Sequence, residues 1–389
     1  MRYMTETALS ALTGSRSGER LVAHVWYDGR IVAENLAVTD WTMSSDGSRQ
    51  VRSQVSLTVA DPDGTLAPWG VDDPLGVGGS KLQLVYVLSA SESVDLGWFR
   101  LTGSEPAENW LVKTAGTRAV WISGGASIPI QADDLTSVAV ADRLLAPQSP
   151  KSGATAISEV KRLMQGIAPV TVHPDVVDRA VATSLVIKRE RMDAVEDLLT
   201  SISATHRMTG DGQLEVYPAA PDAPVWEVAG GENGVMISIR RSQSSSELYN
   251  AAISEGATPD GRQLIGRAFE TTGPLRWEGP HWRRPIFYSS PMLTTQNMVN
   301  ADAARLLSSR LKGRTVDLQV TCLPHPGLQP GDVVVVASPT VTGLEMPLTG
   351  VVRTINLRGG TGGPAPMTMT VECSYEDVQA VAAAIRRER

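Results

Sequence analysis

The side chains best suited to metal or acid–base chemistry in this sequence are its five histidines and two cysteines. The histidines are His24, His173, His206, His281 and His325. No two of them form a His-x-x-x-His or His-Glu-x-x-His arrangement, and Cys322 and Cys373 lie too far apart for a Cys-x-x-Cys pair. Zinc motifs normally bring such ligands together at short, fixed spacings. We therefore expect no metal and no other cofactor, and we predict that both cysteines are buried free thiols rather than a disulfide.

Nucleophile and phosphate-binding motifs are also missing from the sequence. There is no Gly-x-Ser-x-Gly segment, which would indicate a hydrolase nucleophile. Glycine-rich stretches occur at 76–79 and 359–363, but neither has the Lys-Ser/Thr ending of a phosphate-binding loop. Residues 126–222 contain no clustered nucleophile and base. The sequence therefore predicts a protein that is not an enzyme.

Two carboxylates lie close together in the segment Asp61-Pro62-Asp63-Gly64. Carboxylate oxygens are the ligands that Ca²⁺ prefers, so a calcium site is one interpretation. Pro-Asp-Gly is also a common turn sequence, because proline fixes one φ angle and glycine tolerates a positive one. A simple turn is the preferred interpretation.

The segment 274–288 concentrates aromatic and arginine side chains among prolines. Tryptophan and arginine dominate interface hot spots, so this segment is a candidate protein interface. The alternatives are a loop folded onto its own domain and, third, a stacking platform for sugar. The candidate interface residues are Trp277, Trp282, Arg283, Arg284, Phe287 and Tyr288, with Arg386 and Arg387 on a basic C-terminal helix.

Composition limits the class of protein that must position these residues. The chain has 389 residues, 42% of them hydrophobic, and a net charge of −7. Such a chain can form a core, and its charge is opposite to that of a typical nucleic-acid-binding protein. The apolar runs are about as long as strands and the first residues have no apolar signal segment, so we expect a soluble protein assembled in the cytoplasm with no membrane-spanning segment.

The hydrophobic pattern predicts a β-rich α+β fold. Residues 51–60 alternate between apolar and polar, as in a half-buried strand, and Asp28-Gly29 favours a hairpin turn. Helical periodicity recurs over 156–165, with Ser152 as a possible cap, and over 193–204. The predicted domains are an arm (1–17), a first β domain (18–125), an α/β insert (126–222), a second β domain (223–375) with a helix over 297–311, and a C-terminal helix (376–389).

The order of several short motifs resembles a known family over residues 20–375. The motifs are the helix 195–202, the hairpin 211–216, the strand Tyr249-Asn250-Ala251-Ala252-Ile253, a helix with Ala303, Ala304 and Leu307, and the turn Pro330-Gly331-Asp332 before a valine run. In this order they resemble the central hub proteins of phage tails, the late-control-D group. The chain is similar in particular to minor tail proteins of actinobacterial siphoviruses.

The resemblance implies a virion structural protein, assembled in the host cytoplasm and located at the distal end of the tail. It implies a homotrimer in which each subunit holds two tail-tube-like β-barrel or sandwich domains, so that three copies match a sixfold tube. The implied partners are the distal tail or tube protein, the tape measure protein and tip or fibre proteins, with DNA only in transit through the lumen during ejection. A tail-tip cell-wall hydrolase and a carbohydrate-binding adsorption module using Trp277 and Trp282 are the alternatives.

Overall fold

The computed structural model describes residues 1–14, 18–116, 118–219, 223–231, 234–242, 248–258, 260–289, 293–312, 315–337 and 347–388. The described chain is mostly β-sheet with a few helices, which confirms the predicted β-rich α+β fold. It forms two compact units: unit 1 is Met1–Ile239 with Gln319–Val371, and unit 2 is Arg240–Leu318 with Glu372–Arg389. These units do not test the boundaries at 125, 222 and 375, which stay predictions. No described helix is long and apolar enough to cross a membrane.

Unit 1 begins with a short helix and a run of antiparallel strands. These elements are α1 (Glu6–Ala11), β1 (Arg20–Tyr27), β2 (Arg30–Ala33), β3 (Val38–Asp46), β4 (Ser53–Asp61), β5 (Lys81–Val87), β6 (Ser93–Ser104), β7 (Ala107–Ala115) and β8 (Arg118–Asp134). The strands are hydrogen-bonded in the order β3-β4-β8-β6-β5-β1-β2, with β7 paired to β8. Val55, Leu57 and Val59 of β4 are buried while their neighbours are more exposed, as the alternation predicts. The Asp28-Gly29 turn is confirmed, with both residues at positive φ.

The middle of the chain forms a small α/β structure with its own core. Its elements are α2 (Thr136–Ala141), α3 (Ala156–Leu163), β9 (Val170–Val172), α4 (Arg191–Ser201), β10 (Ala204–Met208) and β11 (Leu214–Pro218). Strands β10 and β11 are antiparallel, and β9 pairs with β11 in parallel. The two predicted helices are confirmed, but the cap is Thr155 rather than Ser152, because Thr155 and Ser158 form a reciprocal capping box.

Strands from the second half of the chain extend the sheet that contains β1 to β8. They are β12 (Trp226–Ala229), β13 (Met236–Ser242), β17 (Thr315–Cys322), β18 (Val333–Ala337), β19 (Leu348–Gly360), β20 (Gly363–Pro364) and β21 (Met367–Ser374). The long strand β19 pairs antiparallel with β3, which places Thr354 opposite Asp46. Both cysteines are buried and neither forms a disulfide, as predicted.

A cluster of buried charges joins β10 to the Pro-Gly-Asp turn within unit 1. Asp332 accepts hydrogen bonds from Arg207 Nη1 at 2.8 Å, from the backbone N–H of Gln329 at 2.8 Å and from the amino group of Met1 at 2.5 Å. Arg207 also donates to Glu215 at 2.6 Å. Burial opposes the charge of Arg207, but the Asp332 and Glu215 carboxylates outweigh it and raise the pKa of Arg207. Two motifs that lie over 100 residues apart therefore share one ionic cluster.

Unit 2 contains a three-stranded sheet covered on one face by a helix. Strand β14 (Ala251–Ala257) lies between β15 (Gln263–Phe269), which is antiparallel to it, and β16 (Pro285–Ser289), which is parallel. Helix α5 (Gln296–Lys312) confirms the helix predicted over 297–311. Its backbone approaches β15 so closely that a Cβ on Gly266 would lie 2.1 Å from the carbonyl oxygen of Val299. A last helix, α6 (Tyr375–Glu388), follows β21.

Candidate functional site

The aromatic and arginine-rich segment connects β15 to β16, and the side chain of Asn250 holds it in place. Asn250 is fully buried just before β14. Its Nδ2 donates to the carbonyl of Trp282 at 2.5 Å, and its Oδ1 accepts from the backbone N–H of Arg284 at 2.8 Å. The backbone N–H of Asn250 donates to the carbonyl of Arg284 as well, at 3.1 Å. The amide donates from one atom and accepts at the other, which gives the asparagine of the Tyr-Asn-Ala motif a structural role.

Trp277 forms the inner layer of this segment. Its ring centroid lies 5.0 Å from that of Phe269, and the guanidinium of Arg283 lies 5.5 Å above its ring. Arg283 is also 3.6 Å from the carboxylate of Glu278. The stacked Trp277 is therefore half-buried against its own unit rather than presented to solvent.

Trp282 is the side chain of the segment that projects furthest into solvent. It is 82% exposed, and its φ of +61° is unusual for a residue with a side chain. The hydrogen bond from Asn250 to its carbonyl and the bond to Arg284 two residues later hold this conformation. The two tryptophans therefore differ in exposure, although the sequence pattern gives no reason to distinguish them.

Phe287 and Tyr288 lie on opposite faces of the small sheet, since neighbouring residues of a strand alternate. Phe287 pairs with Ile253, on the face away from α5. Tyr288 pairs with Ser254, whose hydroxyl donates to Asp302 of α5 at 2.8 Å. The face away from α5 carries Ile253, Ile265, Phe269 and Phe287, with the charged residues Glu255 and Arg267 among them. We call this surface the aromatic face.

The other predicted site residues do not join the aromatic face into a reactive centre. His281 contacts the carbonyl of Leu248 at 3.0 Å. The backbones of Arg386 and Arg387 belong to α6, but their side chains lie outside the described part of the chain. Within the described ranges, no group of His, Cys, Asp or Glu residues is arranged to hold a metal ion.

The carboxylate of Asp61, one of the possible calcium ligands in the sequence, accepts hydrogen bonds from the protein's own backbone. Asp61 is buried and accepts hydrogen bonds from the backbone N–H groups of Thr65, Leu66 and Ala67, at 3.1, 2.7 and 3.1 Å. These donors occupy the oxygens that a cation would need. The structure therefore supports the interpretation of this segment as a turn rather than a calcium site.

A second exposed surface, which the sequence patterns did not single out, lies on the β7–β8 hairpin of unit 1. We call it the hairpin patch: Trp69, Trp110, Leu111, Val112, Val120 and Trp121, each 45–81% exposed. Trp69 reaches it from the loop after β4, with its ring centroid 6.4 Å from that of Trp110. One feature of the sequence could have indicated this surface. Trp110, Leu111 and Val112 are consecutive apolar residues in a strand, so the strand must present apolar side chains on both faces. The pattern alone cannot tell whether such faces are buried or exposed.

Comparison with solved structures identifies the fold. The 43 kDa tail protein of prophage MuSo2 from Shewanella oneidensis superposes with a TM-score of 0.56 at 11% identity, covering 91% of this chain and 98% of that one. The tail protein from Neisseria meningitidis MC58 gives 0.55 at 12% identity, covering 90% and 96%. The chain has the fold of these tail proteins. No protein-family model and no curated protein matches the sequence.

A third solved structure shows the same likeness in fold. The Francisella PdpA–VgrG complex gives a TM-score of 0.50 at 6% identity, covering 92% of this chain and 53% of that one. At such identities the likeness concerns the fold alone. It agrees with the β-rich architecture that the motif order implied, while the hub family and the siphovirus type stay predictions.

Proposed function

We propose that this protein is a structural component of a phage tail. The observation that carries the proposal is the match in fold over about nine-tenths of this chain and nearly the whole of two tail proteins. Two of the proteins that share the fold are tail proteins, which favours a structural role over a catalytic one. The side chains that stand out in the described ranges are exposed aromatic groups, which suit protein contacts.

Within the tail, we place the protein in the hub at the distal end. Three copies would form a ring that joins the sixfold tube to the tip or receptor-binding parts. Such a ring needs heterologous contacts between copies and separate contacts to neighbours above and below it. The hairpin patch and the aromatic face are two distinct surfaces that could serve these two kinds of contact. The net charge of −7 suits a lumen through which DNA passes without binding.

Two measurements test this proposal. Light scattering of the purified chain should give three times its mass of 41.5 kDa. Immunogold labelling of virions with antibodies against this chain should decorate the end of the tail opposite the capsid, while antibodies against a capsid protein label the head. Labelling along the whole tail would contradict the hub position, and absence of label from the virion would contradict the proposed function.

If the protein binds carbohydrate through this segment, Trp282 is the residue best placed to contact the sugar. Trp277 packs against Phe269, whereas Trp282 is 82% exposed. Sugar rings stack on exposed tryptophans held in fixed conformations. A Trp282→Ala variant tests this alternative in a sedimentation assay with purified host cell walls. Loss of binding would favour an adsorption role for this segment, and equal binding by both proteins would leave the protein-interface interpretation.

A further inference from the structure

We propose that the β7–β8 hairpin of one copy packs against the β1–β2 edge of a neighbouring copy of this chain. This inference deepens the proposed function, because it identifies the surfaces that would close a ring of identical subunits. It rests on three observations in unit 1: the exposure of the hairpin, the area of its apolar patch, and the presence of a second unpaired edge with matching chemistry.

The outer part of the hairpin has no partner strand among the described residues. From Arg118 to Gly125, strand β8 pairs only with β7, since its pairing with β4 begins at Ala126 and with β6 near Ile130. Nearly all residues from 109 to 121 for which burial is described are exposed. A two-stranded ribbon by itself is marginally stable in water, so a ribbon with apolar side chains on both faces is stabilised by contact with another surface.

The hairpin patch occupies both faces of the ribbon. The pairing register places Trp110, Val112 and Trp121 on one face and Leu111 on the other. The three tryptophans of the patch are 81%, 46% and 66% exposed. Because an aromatic side chain offers about 150–250 Å², these tryptophans expose on the order of 400 Å². An apolar patch of this size is often functional. One side of a standard protein interface buries about 800 Å², so the tryptophan face could form about half of such a side.

The same unit offers a receiving edge that suits the hairpin. Strand β2 ends the sheet, pairs only with β1 among the described strands, and exposes Ile31 and Val32, each 42%. It lies four strands from β8 in the order β8-β6-β5-β1-β2. A projecting element and a receiving edge at different places on one subunit give a heterologous contact. Such contacts generate a closed ring when the rotation from one copy to the next closes, as the trimeric hub requires.

Charges at the two places favour this pairing. The hairpin tip carries the exposed cations Lys113 and Arg118. The exposed carboxylates of Asp28 and Glu34 flank β2, with Arg30 as the one cation between them. The tip is therefore positive and the receiving edge is net negative, which favours a second copy of this chain over an unrelated partner.

The test measures self-association of the full chain by light scattering and sedimentation across a range of concentrations. Trp121→Glu should raise the dissociation constant at least about 30-fold, the loss expected for a central tryptophan of an interface. Trp282→Glu is the matched control, because it places the same charge on a tryptophan outside unit 1 that is 82% exposed, against 66% for Trp121. It should leave association unchanged. The circular dichroism spectra of both variants should match the wild type, which shows that the chain remains folded. The unfolding midpoint of Trp121→Glu should fall only at concentrations at which the wild type associates.

A charge-reversal cycle tests whether the two named surfaces meet. Lys113→Glu and Glu34→Lys should each weaken association, and the double variant should recover part of the loss. A wild-type chain that stays monomeric, or a Trp121→Glu variant that associates normally, would overturn the inference. If Trp121→Glu dissociates the assembly but Glu34→Lys has no effect, the receiving edge is wrong.

The labelling of virions distinguishes this inference from the proposed function. Virions labelled at the tail tip, together with association that ignores the hairpin variants, would refute this inference and keep the function. Hairpin-dependent association without any label on virions would refute the function and keep the contact between copies.

Discussion

The buried cluster around Asp332 gives a prediction about stability. The side chain of Asp332 is 3% exposed and that of Arg207 is 15% exposed, at a separation of 2.8 Å. Arg2 is buried near Asp332 as well, and burial lowers the pKa of Arg2 to about 10. Removing one partner of a buried ion pair costs about 3–5 kcal/mol, because the remaining charge stays buried without compensation. We therefore expect Asp332→Asn, which keeps the shape and removes the charge, to lower the free energy of unfolding by about 3–5 kcal/mol.

Urea unfolding followed by circular dichroism provides the measurement. The control is Glu278→Gln, because Glu278 and Arg283 form an exposed ion pair, 80% and 66% exposed, at 3.6 Å. Exposed pairs contribute about 0–1 kcal/mol, so this control should change the midpoint little. A loss in Asp332→Asn no larger than in the control would refute the buried-charge argument.

A double replacement separates the ion pair from the rest of the cluster. Arg207→Met and Asp332→Leu should each destabilise the fold strongly, whereas the double variant should lose clearly less than the sum, since apolar residues often replace a buried ion pair at little cost. Additive losses would show that the two side chains contribute independently.

Three further predictions concern single side chains. Burial lowers the pKa of His206, so the unfolded chain binds this proton more readily and stability should fall as the pH drops below about 6.5; His206→Leu should flatten that slope in pH-dependent unfolding. Asn250→Ala should cost about 2–3 kcal/mol and speed proteolysis of the 274–288 segment, because two side-chain hydrogen bonds disappear; unchanged cleavage would contradict its role in holding that segment. Burial raises the pKa of Cys373 to about 12, so this thiol should resist alkylation at pH 8 until urea unfolds the chain, as mass spectrometry of the labelled peptide would show.

Local patterns predicted the elements of this fold well. The alternation of β4 and the Asp28-Gly29 turn were predicted correctly, because strand burial and positive φ each favour particular residue types at neighbouring positions. The helices α3, α4 and α5 followed from apolar spacing in the same way. The cap of α3 was misplaced, because both Ser152 and Thr155 can cap a helix and only the reciprocal bond with Ser158 decides between them.

Long-range pairing left no comparable trace in the sequence. The contact between β3 and β19, and the ion pair between Arg207 and Asp332, join residues that no local period relates. The exposure of individual side chains is the second property that the sequence did not predict. Trp277 and Trp282 look equivalent in sequence, yet one is stacked against Phe269 and the other projects into solvent.

The pairing of β3 with β19 has a consequence for biosynthesis. Asp46 leaves the ribosome long before Thr354, its partner across the sheet. At roughly 5–20 residues per second, β3 waits about 15–60 s before the strand that covers its edge is translated. During that interval the nascent chain presents an open strand edge in a crowded cell, so the yield of native protein should depend on chaperones that shield it and should rise when growth temperature is lowered.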